Sequence, residues 1–467
     1  MPLLLTLFLT PIIAAGLVFS FVKNKSMAII FSLIPLGILM YAPLAPVDYP
    51  WISTLNIRFH LSVDSLSLIF LYLVNIIIPI SIAAQNTPIE QKNVFYGLIL
   101  VLQGLLIGFF TSQDLVCFTF FFEAMLIPLY FLISSWGKNG HVNAAFKFII
   151  YMAAGSCLLV AALLATYLAA NSFDMMQLAK TAEKLPHAAL IAAAFLLAFC
   201  VKTPLWPFHA WLPDAYTKAP LSATILLSAI LSKAGIYGII RVSMGLFPHL
   251  SMQWSPYLIT LSIIGVLYGA FAAWGQTDFK RLIAYSSFSH VNFVLVGLFV
   301  WNQMAHSGAI LQAVNHAITI TGLFLVASWL EKRLGTTQFG QVSGLACYMP
   351  RLCWITFFFV MSAVALPGLN NFISEVMVLY GVFQVHILLS ALLGLTVIFS
   401  ILYMLRWIHS VYFETPSPYE SNWLDIKAKE TSLALPLIAL IIWLGIYPGP
   451  VLNQVELAAN TITEKST

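Results

Sequence analysis

The sequence predicts an all-α polytopic membrane protein of about fourteen transmembrane helices, with two inverted five-helix repeats in which helices 7 and 12 are broken. Three observations predict this class. Hydrophobic residues form 61% of the 467-residue chain and charged ones only 8%, with a mean hydropathy of +0.93, whereas soluble domains hold roughly 45–50% apolar residues. The apolar residues gather into runs near 20 residues, the length that crosses a bilayer as a helix. Two of these runs are interrupted in a distinctive way, one followed at once by Pro204 and Pro207 and one holding Pro367 beside Gly368, Asn370 and Asn371. Lipid offers no partner to a free N–H or C=O, so only helices or closed barrels cross it, and barrel strands are only about 9–11 residues long.

The runs place spans at 3–22, 27–43, 64–84, 93–112, 115–134, 141–170, 188–203, 219–242, 254–276, 282–301, 306–330, 350–383, 385–413 and 431–450. The first has no basic residue before it and no small-residue cleavage site after it, so it reads as a retained helix and not a signal peptide. Residues 1–92 supply three N-terminal helices, 93–242 a first repeat of helices 4–8, 254–413 a second of helices 9–13, and 414–467 a loop, helix 14 and a tail. An odd repeat of five reverses topology between copies, the inverted design of many transporters. The longest connections, near 44–63, 171–187 and 414–430, are too short for a soluble catalytic unit, so any nucleotide-binding or redox module must belong to another chain.

Two helices should break. In VKTPLWPFHAWLPDA (201–215), Pro204 and Pro207 free the carbonyls of Cys200 and Thr203; in ALPGLNNFISE (365–375), Pro367 frees that of Ala363 beside Gly368, Asn370 and Asn371. Basic residues set the orientation. Odd-numbered connections hold most of them, among others Lys23, Lys25, Lys92, Lys138, Lys147, Lys218, Lys280 and Arg281, against Arg58, Lys180, Lys184, Arg241 and Lys465 in the even ones and the tail. That bias puts both termini on the outer side. The net charge of +4 follows from it and implies no nucleic acid. Cys117, Cys157, Cys200, Cys347 and Cys353 form no CxxC pair and read as buried small hydrophobes.

Function must reside in the ionisable residues that interrupt apolar runs, because a charge at the bilayer centre costs about 2.5–3.5 kcal/mol on insertion scales. Glu123 sits in FFEAMLIPLYFLI (121–133) among phenylalanines and must pair or take up a proton; Lys202 and Lys233 are the ammonium groups in the same repeat. Lysine suits a relay because burial readily changes its protonation, whereas arginine stays charged. A coupled carboxylate and lysine titrate as a pair, so moving one alters the other's hold on its proton. The alternative is a static ion pair pinning helices together. His290 in SFSHVN and His316 in AVNHAI extend the relay, helped by Ser286, Ser287, Ser289, Asn315 and Thr319, unless they are packing or haem-ligand histidines. His209 and Asp214 read equally as gate or interfacial anchor. Glu375 lies eight residues past Pro367, about 12 Å along a helix.

Together VKTPLWPFHAWLPDAYTKAP, LSKAGIYGIIR, TDFKRLIAYSSFSH and LPGLNNFISE resemble the antiporter-like membrane subunits of proton-pumping NADH:quinone oxidoreductase, respiratory complex I, over about residues 60–415. Glutamate at Glu375, where sibling subunits usually carry lysine, resembles the M-type branch, the mitochondrial subunit 4 type. AYTKAP after LPDA and Asn292 after the histidine motif depart from the usual pattern. The resemblance implies a proton relay in which Glu123 and Lys202 are the coupled pair, Lys233 the central lysine, His290 and His316 the connecting histidines and Glu375 the outlet. It implies no cofactor and no metal in this chain, with NADH, FMN, iron–sulfur clusters and quinone in partner subunits. The implied partners are paralogous antiporter-like and other membrane subunits and the lipid bilayer, and the implied setting is the bacterial inner membrane. The family relation also reaches multisubunit sodium/proton antiporters and membrane-bound hydrogenases, and a scaffold role within such an assembly is a third reading.

Overall fold

The structure, a computed structural model, describes residues 2–20, 24–41, 44–85, 88–341, 343–415 and 423–463. Lys23 and Lys465 of the charge count therefore lie outside the described residues. Among those described, eleven helices are long and apolar enough to cross a membrane, and three shorter apolar helices accompany them. The chain is an integral multi-pass membrane protein.

Two compact units divide the chain: Met1–Trp211, Lys218–Pro256 and Leu457–Thr467 form one, and Leu212–Thr217 and Tyr257–Glu456 the other. In chain order the first holds α1 (Leu3–Ser20), α2 (Lys25–Tyr41), a hairpin of β1 (Val47–Ile52) and β2 (Ile57–Leu61), then α3 (Ser65–Ala84), α4 (Lys92–Thr111), α5 (Leu115–Ala124) and α6 (Leu126–Trp136). It continues through α7 (His141–Ala170), the short α8 (Met175–Thr181) and α9 (Ala188–Lys202). After α10 (Leu212–Lys218) comes one continuous helical run, Leu221–Met244, that contains α11 (Leu221–Leu226) and α12 (Ser232–Gly238). The second unit takes over within α13 (Pro248–Trp274) and holds α14 (Phe279–Phe299), α15 (Gln303–Leu334), α16 (Pro350–Ala363), α17 (Asn370–Val385), α18 (Ile387–Ile408) and α19 (Ala428–Ile446). Helix α20 (Gly449–Thr463) ends the described chain.

Several helices start on a side chain that caps the exposed N–H groups. Asp64 accepts from Ser67 N at 2.9 Å, Asp114 from Val116 N at 2.8 Å, Asp278 from Arg281 N at 2.9 Å and Asn302 from Ala305 N at 3.1 Å. Three of these four caps are aspartates.

Both predicted breaks are present. Residues 203–211 leave the helix after Lys202, and 364–369 do so between α16 and α17. The carbonyl that Pro204 frees at Cys200 accepts from Leu205 N at 2.9 Å, and the Val201 carbonyl accepts from the Trp211 indole at 3.2 Å. At the second break Leu366 N donates to Met361 O at 3.0 Å, and Asn371 Nδ2 to Ser362 O at 3.0 Å. Irregular backbone at membrane depth is tolerated where protein groups satisfy it in this way.

Other features differ from the sequence expectation. The connection near 44–63 folds into the hairpin, braced by an Arg58–Asp48 pair at 2.7 Å, so the protein is not purely α. Span 5 is interrupted at Met125, directly after the turn bearing Glu123. Span 8 contains two π-helical turns, at Leu227–Leu231 and Ile239–Met244, on either side of α12. Nothing in its uniformly helix-compatible residues announces them. Arg241, counted with a connection, lies inside that run. The second break extends through Leu369, so Glu375 stands five residues into α17, about 7.5 Å of helix and not 12 Å. Cys157 and Cys347 are exposed, so the reading of all five cysteines as buried holds for Cys117, Cys200 and Cys353 alone.

Close helix packing sets the site in the first unit. A Cβ on Gly235 of α12 would stand 2.2 Å from Thr203 Oγ1 and 2.9 Å from Thr203 N, so only glycine lets span 8 approach the break next to Lys202. Gly394 on α18 meets nothing within 4 Å. Gly235→Ala should therefore destabilise the protein by about 1–3 kcal/mol as an overpacked contact, while Gly394→Ala should be neutral or stabilising. Thermal denaturation of the two purified variants separates these outcomes.

Candidate functional site

In the first unit the Lys202 ammonium stands at the C-terminal end of α9, fully buried, and donates to Glu123 Oε1 at 2.6 Å. Its other face meets the Phe122 ring, 4.2 Å from the centroid. Glu123 Oε2 accepts from the Ser156 hydroxyl of α7. The pair is thus built from α5, α7 and α9 around one carboxylate. Glu123 is not wholly interior, since its side chain keeps 25% exposure.

Lys233 is 1% exposed on α12. Its ammonium donates to the Ser228 carbonyl at 2.8 Å, as does the Ser232 hydroxyl at 3.1 Å. Ser228 belongs to the π turn, where the wider ring disturbs the usual i→i−4 pairing. One neutral acceptor answers three ammonium donors, and no carboxylate among the described residues pairs with Lys233. Thr203 Oγ1, next to Lys202 and against Gly235, is buried without a hydrogen-bond partner among the described residues.

In the second unit His290 on α14, His316 on α15 and Glu375 on α17 come together. His290 Nδ1 stands 3.4 Å from Glu375 Oε1, and the same oxygen accepts from Gln312 Nε2 at 3.0 Å. The two imidazoles stack with centroids 5.3 Å apart and 29° between planes, and His316 Nε2 lies 3.0 Å from Ser287 Oγ. Ser374 donates to Gln312 Oε1, and Asn315 Nδ2 donates to Ser374 Oγ at 3.0 Å and to the Asn370 carbonyl at 2.8 Å, tying the cluster to the unwound turn. A polar cavity of about 10 Å³ lies against Glu375, lined by His290, Ser289, Thr396, Ser400 and Tyr403.

Other expected groups lie apart. Lys147 is on α7, a turn and a half inside the helix. Asp214 pairs with Arg281 at 3.4 Å, and His209 is buried within the first break. Sequence reasoning missed Ser156, Gln312, Ser374 and Tyr403. Glutamine and serine on buried helices were visible in the sequence, but the pairing of Gln312 with Glu375 joins α15 to α17 and has no local signature.

A family model described as NADH:quinone oxidoreductase/Mrp antiporter, transmembrane, matches residues 112–402, more than half of the chain. The chain belongs to this family. The NADH:quinone oxidoreductase/Mrp antiporter match encloses Glu123, Lys202, Lys233, His290, His316 and Glu375. Among curated relatives, NADH-quinone oxidoreductase subunit M of Pseudomonas aeruginosa is 38% identical over 86% of this chain and 82% of its own length. Subunit M of Escherichia coli K12 is 35% identical over 89% of this chain and 85% of its own. Both relatives are named subunit M, the branch to which the sequence resemblance pointed. A chain of respiratory complex I from Thermus thermophilus superposes with a TM-score of 0.90 at 27% identity, covering 99% of this chain and all of that one. A chain of the Mrp complex from Dietzia shares the fold at 22% identity and a TM-score of 0.87, over 98% of this chain and 52% of that one.

If Glu123 and Lys202 act as one unit, Glu123→Gln and Lys202→Ala should each lower proton-coupled turnover roughly tenfold or more, about 1.4 kcal/mol of barrier. The double variant should lose little beyond the worse single one. Additive losses in vesicle pumping assays would show that the two groups work separately.

Proposed function

We propose that this chain is a proton-translocating membrane subunit of an NADH:quinone oxidoreductase, moving protons through Glu123, Lys202, Lys233, His290, His316 and Glu375 on energy from quinone reduction in partner subunits. The observation that carries this reading is the Glu123–Lys202 pair, a buried ammonium held at 2.6 Å by a carboxylate inside an apolar helix bundle. Membership of the family and the likeness to subunits M support it.

The chemistry follows from the cost of isolating the charge. While Glu123 stays ionised and close, Lys202 keeps its proton. A movement or protonation that removes the carboxylate leaves an ammonium facing only the Phe122 ring, and a broken buried pair costs about 3–5 kcal/mol. Shedding the proton relieves that cost. Lys233, with a single carbonyl acceptor, can hold a proton as ammonium or, once neutral, offer a lone pair to receive one. The Thr203, Asn315 and Asn371 side-chain oxygens, buried without partners among the described residues, are acceptors that bridging water would complete. At Glu375 a proton can rest on the carboxyl or on the His290 imidazole 3.4 Å away.

The same reading extends to the whole assembly. The chain works beside paralogous antiporter-like subunits and other membrane subunits in a bacterial inner membrane, with both termini outside and fourteen spans formed from the eleven long helices and three shorter ones. NADH, FMN, iron–sulfur clusters and quinone belong to partner subunits. Helices 4–8 and 9–13 read as inverted repeats within this proposal.

Lys233→Ala should leave the assembled complex intact and reduce proton pumping per NADH oxidised to a small fraction of the native value. A pH-sensitive dye in sealed vesicles measures this. Native pumping in that variant would remove Lys233 from the mechanism.

A further inference from the structure

Arg241 lies on the same helical run as Lys233 and belongs to neither cluster. Its Nε donates to Tyr237 Oη at 2.9 Å, and its Nη2 donates to Ser67 Oγ at 3.0 Å and pairs with Asp64 Oδ2. Tyr237 Oη in turn donates to the Phe110 carbonyl at 2.7 Å. Lys233, Tyr237 and Arg241 follow one another at intervals of four residues, about 6 Å of helix each. Lys233 and Tyr237 are enclosed, with Phe70, Phe109 and Phe110 packed around the tyrosine ring. Side-chain exposure rises to 19% at Arg241 and 45% at Asp64. Along this run, buried Lys233 and Tyr237 give way to part-exposed Arg241 and Asp64 at the start of α3, and among the described residues no hydrogen bond joins Lys233 to Tyr237.

Water that bridged Lys233 to Tyr237 would connect a proton-carrying group to the exposed start of α3, a leak unless something there refuses the proton. We propose that Arg241 is that barrier, a fixed positive charge that seals Lys233 from the aqueous face at Asp64. The inference rests on the reading of Lys233 as a relay station. Guanidinium has five donors, no acceptor, and does not give up its proton in proteins, so it neither takes a proton from Tyr237 nor passes one on. Its charge repels hydronium, as a positive charge at a constriction does in water-selective pores. The tyrosine is oriented against conduction as well. Its one hydroxyl hydrogen is committed to the Phe110 carbonyl, and its lone pair faces a donor that cannot accept. Asp64 fixes the guanidinium, and is fixed itself by accepting from Ser67 N at 2.9 Å and Ser67 Oγ at 2.7 Å.

The test is passive proton conductance of the whole complex in sealed proteoliposomes, with a potassium diffusion potential, no NADH and an enclosed pH dye. Arg241→Gln with Asp64→Asn, which removes the charge without orphaning its partner, should conduct protons roughly tenfold above the native complex while NADH oxidation stays within about twofold. Adding Lys233→Ala to that variant should abolish the excess. Arg241→His carries the same test in a protein that can assemble with the charge present: it should be tight at low pH and leaky once the imidazole is neutral. Native conductance in Arg241→Gln/Asp64→Asn, native conductance in Arg241→His at high pH, or a leak that survives Lys233→Ala would each overturn the barrier. Full pumping in Lys233→Ala alone would instead overturn the relay reading, so the two failures are distinguishable.

Discussion

The structure depends on one constraint, that a charge inside an apolar bundle must be answered within hydrogen-bond reach. Lys202 is answered by Glu123 at 2.6 Å, and Glu123 by Ser156 as well. That requirement fixes where α5, α7 and α9 meet. It also makes the pair sensitive, because the energy that binds the two groups is the energy released or demanded when either changes its proton. A static pin would obey the same constraint. What separates the two readings is the company the pair keeps: Lys233, with only a carbonyl to answer it, and a second cluster in which one carboxylate oxygen meets both Gln312 and His290.

Backbone irregularity serves these side chains. Lys202 ends α9 where the first break begins, and Glu375 lies shortly after the second. Glu123 precedes the interruption at Met125, and Lys233 stands between two π turns. Each departure from regular helix frees or redirects carbonyls in a region where water is scarce, and each is compensated locally. Leu205 N and the Trp211 indole do so at the first break, and Asn371 at the second. Arg241, anchored to Asp64, Ser67 and Tyr237, lies within the second π turn.

Much of this was legible in the sequence, because hydrophobic run length and mid-span proline act locally. Pro204 with Pro207, and Pro367 with Gly368 and the following asparagines, mark breaks that single prolines such as Pro11, Pro35 and Pro79 inside continuous helices do not, and Glu123, Lys202, Lys233 and Glu375 stand out against apolar neighbours. The hairpin at Val47–Ile52 and Ile57–Leu61 was not legible, since its strands are short and lie between transmembrane spans. The π turns were not either, because α and π backbones use the same residue types. Gln312 illustrates the remaining gap. Its role appears only when α15 and α17 pack and bring its amide to Glu375.

The central claim is that buried carboxyl groups change protonation as the assembled enzyme turns over. Infrared difference spectroscopy of the whole complex, NADH-reduced minus oxidised, reads that event through the C=O stretch of a protonated carboxyl group. A carboxyl band should shift in Glu375→Asp and disappear in Glu375→Gln. A spectrum unchanged by both substitutions, in a complex that still pumps protons, would contradict it.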